Sequence, residues 1–235
     1  VPTHVVSNAG PPLSVRVGGD GVILGVEPHH TPLGVRLFRP APTRAVFVGS
    51  PACAQLIAYR ALTTGANVVV STGRPGTWAP LAAHGVPVRP VDTTPDTAGR
   101  TRPQNTAVRT RPQDTADPTR LQNTAGRTRP LLYLDDAPPY GRPPELPSAR
   151  WTTVLTIREA LTHREAELVE HADLLLLQPL TPAEGDVLAS ARRLPQRLPT
   201  QPPDVLTVAH RHGVRWGRLS VTPIEPPYHG PAHRR

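Results

Sequence analysis

The sequence predicts an α/β fold, a mostly parallel, doubly wound sheet with antiparallel hairpins at its ends. Three observations carry this. Short buried-strand runs alternate with well-capped helices, such units occur on both sides of a repeat that has no apolar face, and glycine-marked pairs of alternating strands flank the series.

The elements follow in chain order. Residues 1–12 are expected to be a flexible N-terminus. Residues 13–17 and 22–26 read as two strands joined into a hairpin by the Gly18-Gly19-Asp20-Gly21 turn, with a third strand at 34–38. Between them, His29-His30 before Thr31-Pro32 reads as an ordinary turn. Residues 44–49 (RAVFVG) form a buried strand, and Ser50 as N-cap with Pro51 at the first helical position starts a helix through Leu62. Gly65 stops that helix, and 66–71 (ANVVVS) is the next strand. A turn at 73–76, a short helix over 78–84 and a strand over 86–91 complete the first half.

The second half opens with 131–134 (LLYL), a buried strand ending in Asp135-Asp136. Residues 151–157 alternate like a strand. Thr162-His163-Arg164-Glu165 is a capping box opening a helix to about Ala172, and Thr181-Pro182-Ala183-Glu184 is a second one opening a helix to about Arg193. A strand at 174–180 lies between these helices. Residues 204–209 and 214–221 make a hairpin around Gly213. Residues 13–92 and 131–222 thus form one discontinuous domain, and 223–235 is expected to be a flexible tail.

The halves are separated by the tandem nonapeptides PDTAGRTRP, QNTAVRTRP, QDTADPTRL and QNTAGRTRP. A nine-residue period of Thr, Arg and Pro presents no face that a core could bury, so 93–130 is expected to be a disordered insertion. Its seven arginines and three aspartates supply half of the chain's net charge of +8. All 26 basic residues are arginine, none lysine, a usage that a GC-rich genome produces. The interleaved aspartates and missing aromatics argue against a nucleic-acid arm. Without lysine no Schiff base can form. One cysteine, Cys53, excludes an internal disulfide and a cysteine zinc site. No charged-then-apolar leader opens the sequence and no apolar run is long enough to span a bilayer, so a cytoplasmic protein is expected.

The order of these pieces resembles the RecA-like motor domain of FtsK- and TraG-like DNA translocases and of type VII secretion ATPases, in an actinobacterial type. The resemblance lies in the Val22-Ile23-Leu24-Gly25 opening, the strand and helix of 45–62, the acidic strand end at Asp135-Asp136, the strand 152–156 at a sensor position, and Ala172-Asp173 before a strand and a capped helix. It covers 22–72 and 131–193. The departures from G-x-x-x-x-G-K-[ST] are larger than the matches. Across 49–56 only Gly49 survives; Ala54 replaces the second glycine, Gln55 the lysine, and Leu56 the hydroxyl that would hold Mg²⁺. Pro51 removes one amide from the loop. The resemblance therefore implies a vestigial nucleotide site at Gly49, Ser50, Cys53, Gln55, Asp135 and Asp136 with no catalytic residue, and a residual ATP/Mg²⁺ site stays open.

Other residues offer candidate chemistry. Cys53 in the first helical turn could be driven toward thiolate by the helix dipole, but a small buried residue is the favoured reading. His163, Glu167 and His171 share a helix face at metal-compatible spacing, yet Arg164 follows His163 where zinc proteases place glutamate, and no metal site is assigned. His210 and His212 flank a turn and are read the same way. Three functions follow. The first is a non-catalytic ATPase-like interaction or assembly module with a protein partner, an active motor ATPase of a secretion or translocation complex. The second is a nucleotide- or small-molecule-binding enzyme using the crevice after Val48 and Leu134. The third is a basic nucleic-acid-binding accessory protein.

Overall fold

The structure, a computed structural model, describes residues 3–6, 13–16, 21–91, 129–137, 149–192, 202, 204–211, 213–222 and 225. The repeat insertion lies outside these apart from 129 and 130, as does His212.

The strands are β1 (Thr3–Val6), β2 (Leu13–Arg16), β3 (Val22–Val26), β4 (Pro32–Val35), β5 (Thr43–Val48), β6 (Asn67–Thr72) and β7 (Val88–Pro90) in the first half. The second half adds β8 (Leu131–Asp136), β9 (Thr152–Arg158), β10 (Leu174–Leu177), β11 (Val205–His210) and β12 (Gly213–Leu219). Helices are α1 (Pro51–Thr63), α2 (Ala79–Ala82), α3 (Ala166–Glu170) and α4 (Pro182–Ala191). Ten strands form one sheet in the order β4-β3-β12-β11-β10-β5-β9-β8-β6-β7. From β10 to β7 every pairing is parallel, and from β10 to β4 every pairing is antiparallel. The mixed, α/β expectation holds, with both hairpins attached at the same end.

Burial follows from alternation along the central strands. Ala45, Phe47, Leu174 and Leu176 enter the larger core with Ile57 and Ala58 of α1. Val46, Val48, Leu175 and Leu177 enter a second core with Val169 of α3 and Val187 and Leu188 of α4. A parallel strand covered on both faces needs apolar residues throughout, hence the unbroken Leu174–Leu177. The chain leaves β5 through α1 toward β6 on one side, and later leaves β9 through α3 to reach β10 on the other. The topological switch point therefore lies at the carboxyl end of β5, where open α/β sheets form their crevice.

The N-terminal hairpin expectation is corrected. β2 pairs with β1, and β3 pairs instead with β4 and β12. The turn that closes β3 on β4 runs through Pro28–His30, where His29 and His30 take positive φ of 70° and 62°. The two histidines form the tight turn in place of the Gly-Asp-Gly step. Both capping boxes are present: the Thr162 and Thr181 backbone amides donate to Glu165 and Glu184 at 2.8 Å.

Of the expected tail, residue 225 alone is among the described residues. Glu225 is buried and accepts from Arg60 of α1 through Nε at 2.7 Å and Nη2 at 2.9 Å. Arg60 also donates to the carbonyl of Ile23 at 3.1 Å and to that of Ser220, tying α1 to β3 and to the segment after β12. Burial alone would raise the Glu225 carboxyl. The hydrogen bonds from Arg60 and Thr222 and the Arg60 charge outweigh it and bring the pKa from 4.5 to about 2.

Removing one partner of such a buried pair strands the other, so Arg60→Ala is expected to lose about 3–5 kcal/mol in denaturant unfolding. The depressed Glu225 pKa adds stability that is complete above the ordinary carboxylate range and lost as pH falls toward about 2. Glu225→Gln should therefore lower stability at neutral pH and flatten its decline in acid; an acid profile identical to that of the unaltered chain would contradict this.

Candidate functional site

The residues singled out from the sequence converge on the carboxyl edge of the parallel strands. Gly49 and Ser50 follow β5, Asp135 and Asp136 end β8, and Thr72 ends β6 beside Asp136. Arg158 ends β9 and Gln178 follows β10.

The turn after β5 is built to be filled by protein. The Gln178 backbone amide donates to the Val48 carbonyl at 2.9 Å, which swings the Gln178 side chain over the turn. There Gln178 Oε1 accepts from the Ser50 amide at 2.6 Å. The Gly49 amide donates to the Arg158 carbonyl at 2.8 Å. The Cys53 amide reaches the Ser50 carbonyl at 3.1 Å and Ser50 Oγ at 3.3 Å, and the Ala54 amide reaches the Ser50 carbonyl at 3.2 Å. Pro51 has no amide to offer. Four amides that a phosphate cradle would aim at an anion are thus spent on the protein's own acceptors. Gly49 is required for this packing, since a Cβ there would strike Gln178 Oε1 and come within 2.6 Å of Phe47 Cζ.

Gln55 is buried and turns sideways. Its Nε2 donates to the Thr77 carbonyl, joining α1 to the segment after β6. Leu56 and Ala54 are in the core. Cys53 is buried as well, and burial pushes its thiol up to about 12, with the Arg60 charge only partly opposing. The thiolate alternative is therefore corrected: desolvation outweighs the helix terminus at this position.

Asp136 is the hub of a hydrogen-bonded network. Its Oδ2 accepts from Thr72 Oγ1 at 2.8 Å, Arg74 Nε at 2.9 Å and Trp78 Nε1 at 2.7 Å, and its Oδ1 accepts from Arg74 Nη2 at 2.7 Å. Arg74 thus pairs with the carboxylate in bidentate fashion and extends Nη1 to Glu159 at the end of β9. The Arg74 amide is itself fixed by Thr72 Oγ1 at 3.0 Å. Sequence reasoning found the turn at 73–76 and the helix at Trp78 but missed both as site residues. Their signal was an arginine and a tryptophan placed just beyond the strand that pairs with β8.

Asp135 falls on the opposite face of β8, opposite Ser71 and Thr156 on its neighbours. Burial raises its pKa, with the Arg158 charge and the Ala137 amide opposing and Asp136 adding to the rise. The face shared by His163, Glu167 and His171 does not gather a ligand set. The His171 ring nitrogen Nδ1 lies 2.9 Å from the Glu167 carbonyl, and among the described residues no three His, Cys, Asp or Glu groups are placed to hold a metal.

The chain is similar in fold to the solved structure titled "The cytoplasmic domain of EssC", at 10% identity over 87% of this chain, with a TM-score of 0.51. The chain spans 43% of that structure's length. No protein-family model and no curated protein matches the chain. The likeness is one of fold, and the mixed sheet with its parallel half is consistent with a RecA-like domain. Among the described residues no helix is long and apolar enough to cross a membrane.

Two outcomes are expected at this site. Asp136→Ala should cost on the order of 3 kcal/mol, because it leaves the buried Trp78 indole without its acceptor and Arg74 with only the exposed Glu159. A carboxylate held in strain for catalysis would behave oppositely, its removal stabilising the fold. Cys53 should resist alkylation by iodoacetamide at pH 8 in the folded protein and react at the ordinary thiol rate in denaturant; rapid modification of the native chain would contradict its burial.

Proposed function

We propose that the chain is a non-catalytic relative of secretion and DNA-translocation ATPases, kept as an interaction or assembly module. Its partner would be a protein, an active motor ATPase of such a complex, met in the cytoplasm. The single observation that carries this reading is the commitment of Asp136 to Thr72, Arg74 and Trp78. A Mg²⁺ ion takes carboxylate oxygens in near-octahedral geometry and keeps several waters. Here a guanidinium already occupies the carboxylate, and the Gly49, Ser50, Cys53 and Ala54 amides face protein acceptors. The residues at Gly49, Ser50, Cys53, Gln55, Asp135 and Asp136 are then the remnant of a nucleotide site whose space has been taken over by structural contacts. The fold shared with the cytoplasmic domain of EssC supports the family side of the reading.

Calorimetric titration of the full chain with Mg²⁺-ATP tests the proposal. No binding heat is expected, and none should return in Arg74→Ala alone, because the turn after β5 stays filled by Gln178. Saturable binding at micromolar affinity would overturn the non-catalytic reading and favour a nucleotide-binding enzyme.

A further inference from the structure

The antiparallel strands beside β10 carry an apolar surface that the proposed module function does not yet explain. Their inner face, with Val22, Leu24, Leu33, Val35, Leu206 and Val208, packs into the same core as α1. The outer face is continuous with the side on which α3 and α4 cover Val46, Val48, Leu175, Leu177 and Ala209. That cover ends beside Val214, the partner of Ala209 across the β11–β12 ladder. Beyond it stand Trp216, exposed by 46%, Ile23, exposed by 53%, and Val26.

Register places these three on one surface. Trp216 and Arg218 are two apart on β12, and Arg218 pairs with Val26 on β3. Ile23 and Val26 would ordinarily face opposite ways, but β3 has an irregularity between Ile23 and Gly25. Their partners on β4, Gly34 and Pro32, are two apart, so the bulge returns Ile23 and Val26 to the same side. Gly25 and Gly217 allow the approach that makes this possible, since a Cβ on Gly217 would lie 2.6 Å from the Val26 carbonyl oxygen. In the middle of the apolar side chains sits Arg218, 72% exposed, with Asp204 approaching its Nε only at 3.8 Å.

We propose that this outer face of β3 and β12 docks a segment of a partner protein in which an acidic residue is flanked by apolar ones. This rests on the reading of the chain as an interaction module. Charge selects the occupant. A second copy would bring its own Arg218 against this one, on a chain that is itself net positive. The chain's own nonapeptide repeat is arginine-rich and brings the same conflict. Single-stranded nucleic acid is held by successive aromatic platforms, whereas here one indole stands among aliphatic side chains. An acidic, apolar segment satisfies both halves of the surface: the carboxylate meets Arg218, and its neighbours cover Trp216, Ile23 and Val26.

A displayed library of random 12-residue peptides, selected against the full chain, tests this. Recovered peptides should place Asp or Glu beside Ile, Leu, Val or Phe, and synthetic copies should bind Trp216→Asp at least tenfold more weakly. Arg218→Glu should shift selection toward basic, apolar peptides, a reversal that simple loss of folding cannot produce. Both side chains are exposed, so circular dichroism and melting should be unchanged. The proposal is overturned if no peptide is recovered, if recovered peptides lack the acidic-apolar pairing, or if both variants bind them normally. It is equally overturned if Trp216→Asp abolishes self-association in sedimentation or binding of a single-stranded oligonucleotide. Mg²⁺-ATP calorimetry is silent on this surface, so failure of the docking proposal and failure of the non-catalytic reading register in different experiments.

Discussion

One carboxylate organises the carboxyl edge of this sheet. Asp136 has two oxygens and receives four hydrogen bonds, from a hydroxyl, a guanidinium taken twice and an indole. A buried carboxylate is stable only with its oxygens satisfied: Arg74 compensates its charge, and Thr72 and Trp78 supply hydrogen bonds that water cannot replace there. The same demand fixes everything around it. Thr72 must end β6 level with β8, the Gly73–Trp78 segment must fold back over the strand ends, and Arg74 must lie across toward Glu159. Gln55 then reaches Thr77 from α1, which couples that segment to the helix after the switch point.

The two halves of the crevice are closed by different means. On the Asp136 side a cation of the protein's own takes the place that an external one would need. On the β5 side a neutral amide, Gln178, takes an amide that a phosphate would need. Neither alone would exclude a nucleotide: a helix terminus can hold an anion without lysine, and a lone carboxylate can hold a metal without a hydroxyl partner. Together they commit the Ser50 amide and the Asp136 carboxylate to partners within the protein. A second satisfied network, Arg60 with Glu225, secures the antiparallel strands to α1 and so holds the outer β3–β12 face in a fixed position relative to the parallel sheet.

Much of the fold was legible in the sequence because it is written in local, periodic signals. Ser50-Pro51, the two Thr-x-x-Glu boxes and the leucine run at 174–177 each declare an element by themselves. The N-terminal hairpin was misread because a Gly-Asp-Gly step is a generic turn signal, whereas the choice of β4 over β2 as partner for β3 is decided by the sheet as a whole. At the site, Gln55 and Leu56 in place of a lysine and a hydroxyl could be read directly from 49–56. Gln178, Arg74, Trp78 and Glu225 could not, because each acts through a partner 58 to 165 positions away, and only the topology brings them together. Cys53 was legible too: its position among small and apolar residues favoured a small buried side chain over a thiolate, and it is buried.

The Trp78 indole N–H reports directly on the central interaction. In an ¹⁵N-edited spectrum of the full chain, with Trp151 and Trp216 assigned by replacement with Phe, the Trp78 resonance should keep its position and intensity as Mn²⁺-ATP is added, because Asp136 stays committed to Arg74 and Trp78. Saturable paramagnetic loss of that resonance at micromolar nucleotide, with those of Trp151 and Trp216 retained, would show a metal at Asp136 and contradict the commitment of that carboxylate to the protein itself.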